Sequence, residues 1–243
     1  MNSSISPSEL GAELKRIYGV RFSGLEAYRA SVWRVLVSEF FSQWLKPSDT
    51  ILDLGCGYGE FINTVNAASK FAMDLNPSAK EHVGPDVRLI QQDCSVSWPL
   101  PDRSLDIVFT SNFFEHLPSK QALQATLIEA RRCLKPQGRL IALGPNVRFL
   151  SGEYWDFFDH QLPLTELSLS EVLIMTGYRV ERAIAKFLPY TMSRGFQPPI
   201  AALRLYLRLP ILWKLLGRQF LVIGQPSPAI GAGESLLTPG STR

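Results

Sequence analysis

The sequence predicts an α/β protein built around a doubly wound, mostly parallel sheet of seven strands. Short apolar runs have the composition of buried strands, and segments with helical spacing of apolar residues alternate with them. The strands are expected at residues 51–54, 71–74, 87–90, 105–110, 139–143, 178–185 and 220–223. Because successive parallel strands need crossover connections, the alternation indicates right-handed strand–helix–strand units.

Helical spacing first appears in residues 24–45, and Pro47 should end that helix. The same spacing predicts helices over residues 119–134, 167–176 and 200–216. The tetrapeptide Lys135–Gly138 is expected to stop the helix over residues 119–134. Pro210 should kink or split the last one, which forms a helical insertion before the final strand.

Composition narrows the class of protein. With 46% hydrophobic residues the chain can form a core, and its net charge of +3 is too small to argue for nucleic acid as a partner. Three widely spaced cysteines and three scattered histidines show no metal-ligand spacing, so no metal is expected. Neither a membrane-spanning run nor a secretory signal is visible, so a reducing, cytoplasmic location is expected.

The most informative segment is the strand-to-helix junction ILDLGCGYGEF at residues 51–61. Asp53 lies at the end of the strand, and Gly55, Gly57 and Gly59 follow at alternate positions. Glycines there let the backbone adopt positive φ and approach a ligand closely. Ligands of open α/β sheets bind beyond the carboxyl ends of the strands, so this loop predicts a nucleotide-type ligand.

Charge decides between two such ligands. A dinucleotide fingerprint, GxGxxG, would require glycine at position 60, where the chain has Glu60. Glu60 at the start of a helix and Asp53 before the first glycine would both repel a pyrophosphate. Both acids suit S-adenosylmethionine (SAM), which carries an ammonium and a sulfonium and no phosphate. A dinucleotide-dependent oxidoreductase is therefore disfavoured.

The segment Asp53–Gly59 resembles the first motif of class I SAM-dependent methyltransferases. The similarity covers about residues 48–145 and continues in order through Asp74, Asp93, Ser111–Asn112 and Leu134–Gly138. It implies a Rossmann-like fold of the class I methyltransferase type, with SAM as the cofactor. The expected organisation is a helical lid (1–46), a SAM-binding methyltransferase domain (47–224, with a helical elaboration at 198–218) and a disordered tail (225–243).

The stretch Asn112–Leu117, NFFEHL, is similar to the small-molecule, type-11-like branch of this family. It does not resemble the Asn-Pro-Pro-Tyr motif of members that methylate amino groups in DNA and RNA. Residues 156–160 are similar to bacterial members, some of them from glycan or surface-polymer pathways. The resemblance implies methyl transfer to a small-molecule, sugar or lipid-linked acceptor. RNA methylation, or SAM binding without turnover, are the alternatives.

The resemblance also assigns cofactor contacts to the loops after the first four strands. Asp74, followed by Leu75, would accept hydrogen bonds from the ribose hydroxyls. Asp93 with Cys94 would lie at the adenine, and Asn112 at the methionine moiety. The glycine loop supplies the remaining contacts: Asp53, Gly55, Cys56, Gly57, Tyr58 and Gly59. A structural turn, helix cap or strand-end residue is the alternative at each position.

Methyl transfer from a sulfonium gains most of its acceleration from alignment and exclusion of water. Aromatic faces can stabilise the sulfonium, and the candidates are Tyr18, Phe22, Tyr58 and Phe113. A hydroxyl acceptor would need a base, and His116 and His160 are the candidate catalytic residues because each follows a strand at the ligand edge. Backbone hydrogen bonding is the alternative for each.

Glu115 is expected to be a solvated or helix-capping acid. Arg29 could reach the SAM carboxylate, although a solvated position is the alternative.

Residues 200–218 combine a wide apolar face with basic residues. In one continuous helix the four cations fall on an arc of about 120°: Arg204, Arg208, Lys214 and Arg218. A helix pair packed on the sheet is the structural interpretation, and a peripheral membrane or lipid-substrate contact or a dimer interface are the others. The location would then be cytoplasmic or peripheral at the inner membrane face. The sequence leaves the oligomeric state open.

Overall fold

The computed structural model describes residues 24–190 and 197–228. Its seven strands are β1 (Thr50–Leu54), β2 (Ser69–Met73), β3 (Val87–Ile90), β4 (Leu105–Ser111), β5 (Leu134–Pro145), β6 (Tyr178–Leu188) and β7 (Gln219–Pro226). They form one sheet in the order β3-β2-β1-β4-β5-β7-β6. Strands β1 to β5 run parallel, and β7 lies antiparallel to both of its neighbours. The predicted fold class and strand number are confirmed.

Helices cover both faces of this sheet. They are α1 (Glu26–Glu39), α2 (Glu60–Thr64), α3 (Ala79–His82), α4 (Lys120–Cys133), α5 (Val147–Leu150), α6 (Glu166–Met175), α7 (Ile200–Arg208) and α8 (Pro210–Leu216), with 3-10 turns at Phe41–Gln43, Phe114–His116 and Ser151–Asp156. One apolar core holds side chains of α4 and α6, and the other holds side chains of α1, α7 and α8. Because both faces are covered, the parallel strands are nearly continuous apolar runs in the sequence.

Two boundaries differ from the sequence prediction. Helix α1 ends at Glu39, and a short 3-10 turn replaces its expected last turn. The fifth strand, expected from residue 139, begins at Leu134 directly after α4 ends, and Leu134 pairs with Leu105 before the register shifts at a bulge. A Cβ at Gly138 would lie 2.9 Å from the carbonyl oxygen of Asp106, so the glycine permits this close pairing.

The two ends of the expected domain organisation are described in part. Strand β7 continues to Pro226, so the boundary expected after residue 224 falls inside a strand. Residues 229–243 of the expected tail and residues 1–23 of the expected lid, with Tyr18 and Phe22, lie outside the described residues. Within the described ranges, none of the helices has both the length and the apolar character required to cross a bilayer.

Pro210 splits the C-terminal helical segment, as predicted: α7 ends at Arg208, and Pro210 is the first residue of α8. The basic residues therefore do not form one stripe of a continuous helix. Arg204 and Arg208 pair with Glu39 of α1, at 2.8 and 3.5 Å. A third cation, Arg218, pairs with Glu153 at 2.6 Å, so three of the four cations are paired, and the two arginines of α7 share one carboxylate.

The connection that carries α7 and α8 lies at the edge of the sheet where the parallel strands end. Leu188, the last residue of β6, pairs with Gln219, the first residue of β7. Pro145 at the end of β5 pairs with the same glutamine. Residues 189–218 are therefore attached at the carboxyl edge, on the same side as the glycine loop.

Candidate active site

The loop after β1 owes its path to three glycines in the left-handed region. Gly55, Gly57 and Gly59 have φ values of 69°, 53° and 70°, where other residues are strained. The amides of Gly55 and Cys56 donate to the carbonyl of Met73 in β2, at 2.8 and 3.2 Å. A Cβ on Gly55 would overlap the ring of Phe113. The loop is thus held close to both neighbouring strands.

Asp74, directly after β2, is tied to this loop. Its Oδ2 accepts from the amide of Gly57 at 2.7 Å, and its Oδ1 accepts from the amide of Asn76 at 2.8 Å. Burial raises the pKa of the Asp74 carboxyl, although the backbone donors oppose that shift. Each carboxylate oxygen has a second lone pair, so the group retains the capacity to accept hydrogen bonds from two ribose hydroxyls.

Asp53 is buried beneath the loop, with 4% of its surface exposed. Burial raises the pKa of its carboxyl well above the usual value, and the negative charge of Glu60 adds to the shift. The amide of Ile62 in the first turn of α2 opposes it by donating a hydrogen bond. The neighbouring Cys56 is also buried. Asp53 therefore contributes a carboxyl group beneath the loop, and a cationic ligand would favour its ionised form.

Glu60 is compensated by a residue of α1. Arg29 donates through Nε to Glu60 Oε1 at 2.5 Å, and each side chain is 14% exposed. The repulsion of a pyrophosphate inferred from the sequence therefore depends mainly on Asp53. Arg29, considered for the SAM carboxylate, is held at α2 by this ion pair.

The loop after β3 holds two further predicted cofactor residues in different settings. Asp93 is exposed, and its Oδ1 accepts from the amide and the hydroxyl of Ser95 at 2.7 and 2.8 Å. Cys94 is buried, with its thiol 3.2 Å from the hydroxyl of Thr126, and burial raises its pKa to about 11. Asp93 can therefore face a ligand, whereas the Cys94 side chain belongs to the core.

Tyr58 and Leu75 lie on the β2 side of the loop. The Tyr58 ring stacks on His82 at the end of α3, with centroids 3.9 Å apart. Leu75 is half-buried directly after Asp74. Phe113, which was also proposed to face the sulfonium, packs on the glycine loop at Gly55.

Asn112, at the end of β4, has the properties of a ligand-binding residue. It adopts a left-handed conformation with φ of 51°, and its amide donates to the carbonyl of Leu143 at 3.0 Å. Its Nδ2 donates to Ser111 at 3.2 Å, while its buried Oδ1 has no hydrogen-bond partner among the described residues. A strained backbone and an unsatisfied buried acceptor suit an ammonium donor such as that of SAM.

The two candidate catalytic histidines lie side by side beyond β4 and β5, with ring centroids 5.0 Å apart. His116 Nδ1 lies 3.1 Å from the carbonyl of Asp159, and His160 Nδ1 lies 2.9 Å from the carbonyl of Tyr154. Carbonyls only accept, so these contacts place a proton on each Nδ1. The predicted backbone contacts and the predicted proximity to the site therefore coexist.

Glu115 differs from its expected role. It is 2% exposed rather than solvated, and it precedes His116 in the 3-10 turn after β4. Its carbonyl accepts from the amides of Gln161 and Leu162 at 2.8 and 3.0 Å. These bonds join the loops after β4 and β5 and bring His160 to His116. The spacing of the sequence did not show this cluster. His116 and His160 are 44 residues apart, and the parallel pairing of β4 and β5 brings the two loops to the same edge of the sheet.

A cavity of about 600 Å³ lies between α1, α7, α8 and the end of β6. Its lining is mostly apolar and includes Val32, Leu36, Leu203, Tyr206 and Leu212. The α1 wall is fixed to the segment before α7 by a hydrogen bond from the Tyr28 hydroxyl to the carbonyl of Pro198, at 2.9 Å. Sequence reasoning missed this cavity because it depends on how distant helices pack.

Two ring contacts connect the wall of the cavity with His160. The ring of Tyr190, in the cavity wall, packs edge-on against the ring of Phe157, with centroids 6.0 Å apart. Phe157 in turn stacks on His160, with centroids 5.0 Å apart. Gln219, also in the wall, is 4% exposed and donates through Nε2 to the carbonyl of Pro189 at 2.8 Å. Its buried Oε1 has no hydrogen-bond partner within the described part of the chain. The cavity thus has mostly apolar walls, with Gln219 among its few polar lining residues.

The fold and the site together define a class of protein. The strand order, the glycine loop after β1 and the acid after β2 are those of a class I SAM-dependent methyltransferase domain. Residues 52–142 match the family described as methyltransferase domain. This match covers less than half of the chain, so it identifies a methyltransferase domain within the chain, and the cofactor of such domains is SAM.

Comparisons with known proteins agree with this family. The chain is 28% identical over 111 residues to 27-O-demethylrifamycin SV methyltransferase of Amycolatopsis mediterranei, covering 41% of this chain and 39% of the relative. It is 30% identical over 96 residues to an uncharacterized protein of Methanocaldococcus jannaschii, covering 40% of each. The chain thus spans about two fifths of the length of the curated relatives it matches.

Solved structures show the same fold over most of the chain. A SAM-dependent methyltransferase from Archaeoglobus fulgidus has a TM-score of 0.62 and 19% identity, with 87% of this chain and 98% of that one covered. The protein bound to the Trm112 methyltransferase activator of Haloferax volcanii has a TM-score of 0.66 and 17% identity, with 90% and 98% covered.

Proposed function

We propose that this chain transfers the methyl group of SAM to a hydroxyl of a small, largely apolar acceptor. The observation that carries this proposal is the 600 Å³ cavity, which has mostly apolar walls and Gln219 among its lining residues, and whose Tyr190 is connected to His160 through the ring of Phe157. Cavities of this size hold drug-sized ligands through apolar contacts and a few placed polar groups. The match to a relative named as an O-demethylrifamycin methyltransferase supports oxygen as the acceptor atom.

The residues divide the work between holding SAM and activating the acceptor. SAM supplies an electrophilic methyl group on a sulfonium. Asp74 would accept from the ribose hydroxyls and Asn112 Oδ1 from the ammonium, while the glycine loop allows close approach of the backbone. Phe113, packed on Gly55, presents an aromatic face to the cationic region.

In the transfer, the acceptor oxygen forms a bond to the methyl carbon as the carbon–sulfur bond breaks, and the electron pair remains on sulfur. The acceptor hydroxyl loses its proton in the same process. His116 and His160 would lie at the acceptor hydroxyl, and a neutral imidazole with its proton on Nδ1 would take the hydroxyl proton on Nε2, so we assign proton removal to these two residues. Burial of His160 and Glu115 helps to exclude water from the reacting atoms.

The test is formation of S-adenosylhomocysteine with a panel of apolar alcohols and phenols, measured for three forms of the protein. Leu203→Trp would fill the cavity, and we expect the acceptor KM to rise at least about tenfold while the SAM affinity stays unchanged. Ala201→Trp is the matched control, because Ala201 is exposed on the same helix and does not line the cavity.

Two results would contradict the proposal. Methylation of RNA without methylation of any apolar acceptor would favour the RNA alternative. SAM binding without product from any acceptor would favour a binding domain without turnover.

We also propose that α7 and α8 contact a membrane surface from which such an acceptor is taken. Their exposed apolar side chains support this: Leu205, Leu209, Ile211, Leu215 and Leu216. Since most nearby cations are paired with acids, binding should depend more on apolar insertion than on anionic lipid. Vesicle flotation of Ile211→Glu should show reduced binding. Ile128→Glu is the control, because Ile128 is similarly exposed on α4. Equal flotation of the wild type and the two variants would contradict this role.

A further inference from the structure

Three potential metal ligands meet where the acceptor hydroxyl is proposed to lie. One ligand atom from each of Glu115, His116 and His160 lies within 4.8 Å of the others. The set is not an exposed acidic patch, because Glu115 and His160 are buried and His116 is half-buried. A buried carboxylate beside two imidazoles is an arrangement that a cation would stabilise.

The contacts behind the imidazoles are those of metal-binding histidines. His160 Nδ1 is directed to the carbonyl of Tyr154 at 2.9 Å. His116 Nδ1 is directed to Asp159, 3.1 Å from its carbonyl and 3.3 Å from its carboxylate Oδ2. Metal-bound histidines usually donate their second N–H to a carbonyl or carboxylate, which fixes the tautomer and orients the ring.

We propose that Glu115, His116 and His160 bind a divalent transition-metal ion through a carboxylate oxygen and two Nε2 atoms. Two imidazoles and one carboxylate are the ligand set of His₂Glu zinc sites and of the facial triad that binds Fe²⁺. Both leave coordination positions open for a substrate oxygen. Mg²⁺ prefers oxygen ligands and is disfavoured by the two nitrogens.

The role of this ion rests on the proposed function, whereas its binding does not. An ion held here would polarise the acceptor hydroxyl and lower its pKa, so that the proton passes to water as the oxygen–carbon bond forms. The two histidines would then promote proton loss by holding the ion. The sequence could not indicate this, since the histidines are far apart along the chain.

The test measures metal binding without SAM or acceptor. The protein, purified without a histidine tag and stripped with chelator, is titrated with Co²⁺, and visible absorption is followed before displacement by Zn²⁺. We expect one ion per chain in the wild type, and weaker binding by at least about tenfold in His116→Ala, His160→Ala and Glu115→Gln. His82→Ala is the control, because His82 is the remaining histidine of the chain and stacks on Tyr58, outside the proposed ligand set.

A second variant separates binding from folding. Asp159→Asn keeps the three ligands and alters the group behind His116, and we expect Co²⁺ affinity to fall about 10–100-fold while the melting temperature stays near that of the wild type. Absence of Co²⁺ and Zn²⁺ binding to the wild type, or equal binding by His160→Ala, would overturn the metal site. Methyl transfer by metal-free protein would then leave the proposed function standing, and metal binding without methyl transfer would do the reverse.

Discussion

The carboxylate of Asp74 accepts a 2.7 Å hydrogen bond from the amide of Gly57. This bond joins the loop after β2 to the loop after β1. The residue that the sequence assigned to ribose binding therefore also fixes the shape of the glycine loop. Its two functions should be lost together.

Asp74→Asn should weaken SAM binding about 10–100-fold. An amide has one oxygen and no charge, so it cannot accept from Gly57, Asn76 and the ribose as the carboxylate can, and a hydrogen bond to a charged group contributes about 1.5–3 kcal/mol. Calorimetric titration with SAM measures the change. Asp86→Asn is the matched control, because Asp86 is an exposed acid paired with Lys70. Unchanged affinity in Asp74→Asn would remove its assignment to the cofactor.

The contribution of Asp53 to the stability of the ligand-free protein should become more favourable as pH falls through its raised pKa towards the ordinary pKa of an aspartate. The pKa of Asp53 is raised by burial and then by Glu60, so the folded state binds a proton more readily than the unfolded state. The cost of the buried charge is present above the folded pKa and disappears as pH falls to the unfolded value. Asp53→Asn should therefore be more stable than the wild type at neutral pH and show a flatter pH profile. Thermal unfolding across this range tests both expectations.

The same charge should help to bind SAM. A cationic ligand favours ionised Asp53, so SAM binding should release protons and strengthen as pH rises through the raised pKa. Titration in buffers of different ionisation enthalpy measures the proton release. If Asp53→Asn released as many protons as the wild type, Asp53 would not be their source.

Gly55→Ala should destabilise the protein by at least about 1–2 kcal/mol and impair SAM binding. Its backbone has φ of 69°, and the added Cβ would overlap the ring of Phe113. Gly152→Ala is the control, because no atom lies within 4 Å of its added Cβ, and it should change stability by less than about 0.5 kcal/mol. Urea denaturation compares the two, and equal effects would contradict the proposed close packing.

Arg29 and Glu60 should show a coupling free energy of about 1 kcal/mol in a double-mutant cycle. Their 2.5 Å contact is mostly shielded from water and joins α1 to the helix that follows the glycine loop. The pair Arg179 and Glu181 is the control, because its arginine is 65% exposed and its contact is 3.3 Å, so its coupling should be close to zero. Similar values for the two cycles would mean that the α1 contact adds no more than a surface pair.

The features that the sequence predicted are local ones. The alternate glycines and Asp53 indicated the loop and the cofactor class because backbone freedom and charge are properties of the residues themselves. Pro210 indicated the split helix for the same reason. The start of the fifth strand, expected at residue 139, was wrong, because pairing with β4 extends this strand back to Leu134.

The missed features depend on contacts between distant segments. The burial of Glu115 follows from hydrogen bonds to residues 161 and 162. Pairing of Arg29 with Glu60 requires α1 to lie over α2. The arc of four cations predicted for residues 200–218 does not form, because the segment is two helices and because Glu39 pairs with the arginines of the first of them. None of these relationships has a period or spacing that the sequence alone displays.

The reversed direction of β7 has a consequence for how this protein could acquire new acceptors. A parallel last strand would have required its preceding connection to return to the opposite edge of the sheet. Because β7 runs back from the point where β6 ends, residues 189–218 start and finish at one place. Such a segment can be lengthened, shortened or exchanged while every strand keeps its register. Selectivity for the acceptor can therefore diverge among relatives while the cofactor half of the molecule stays the same.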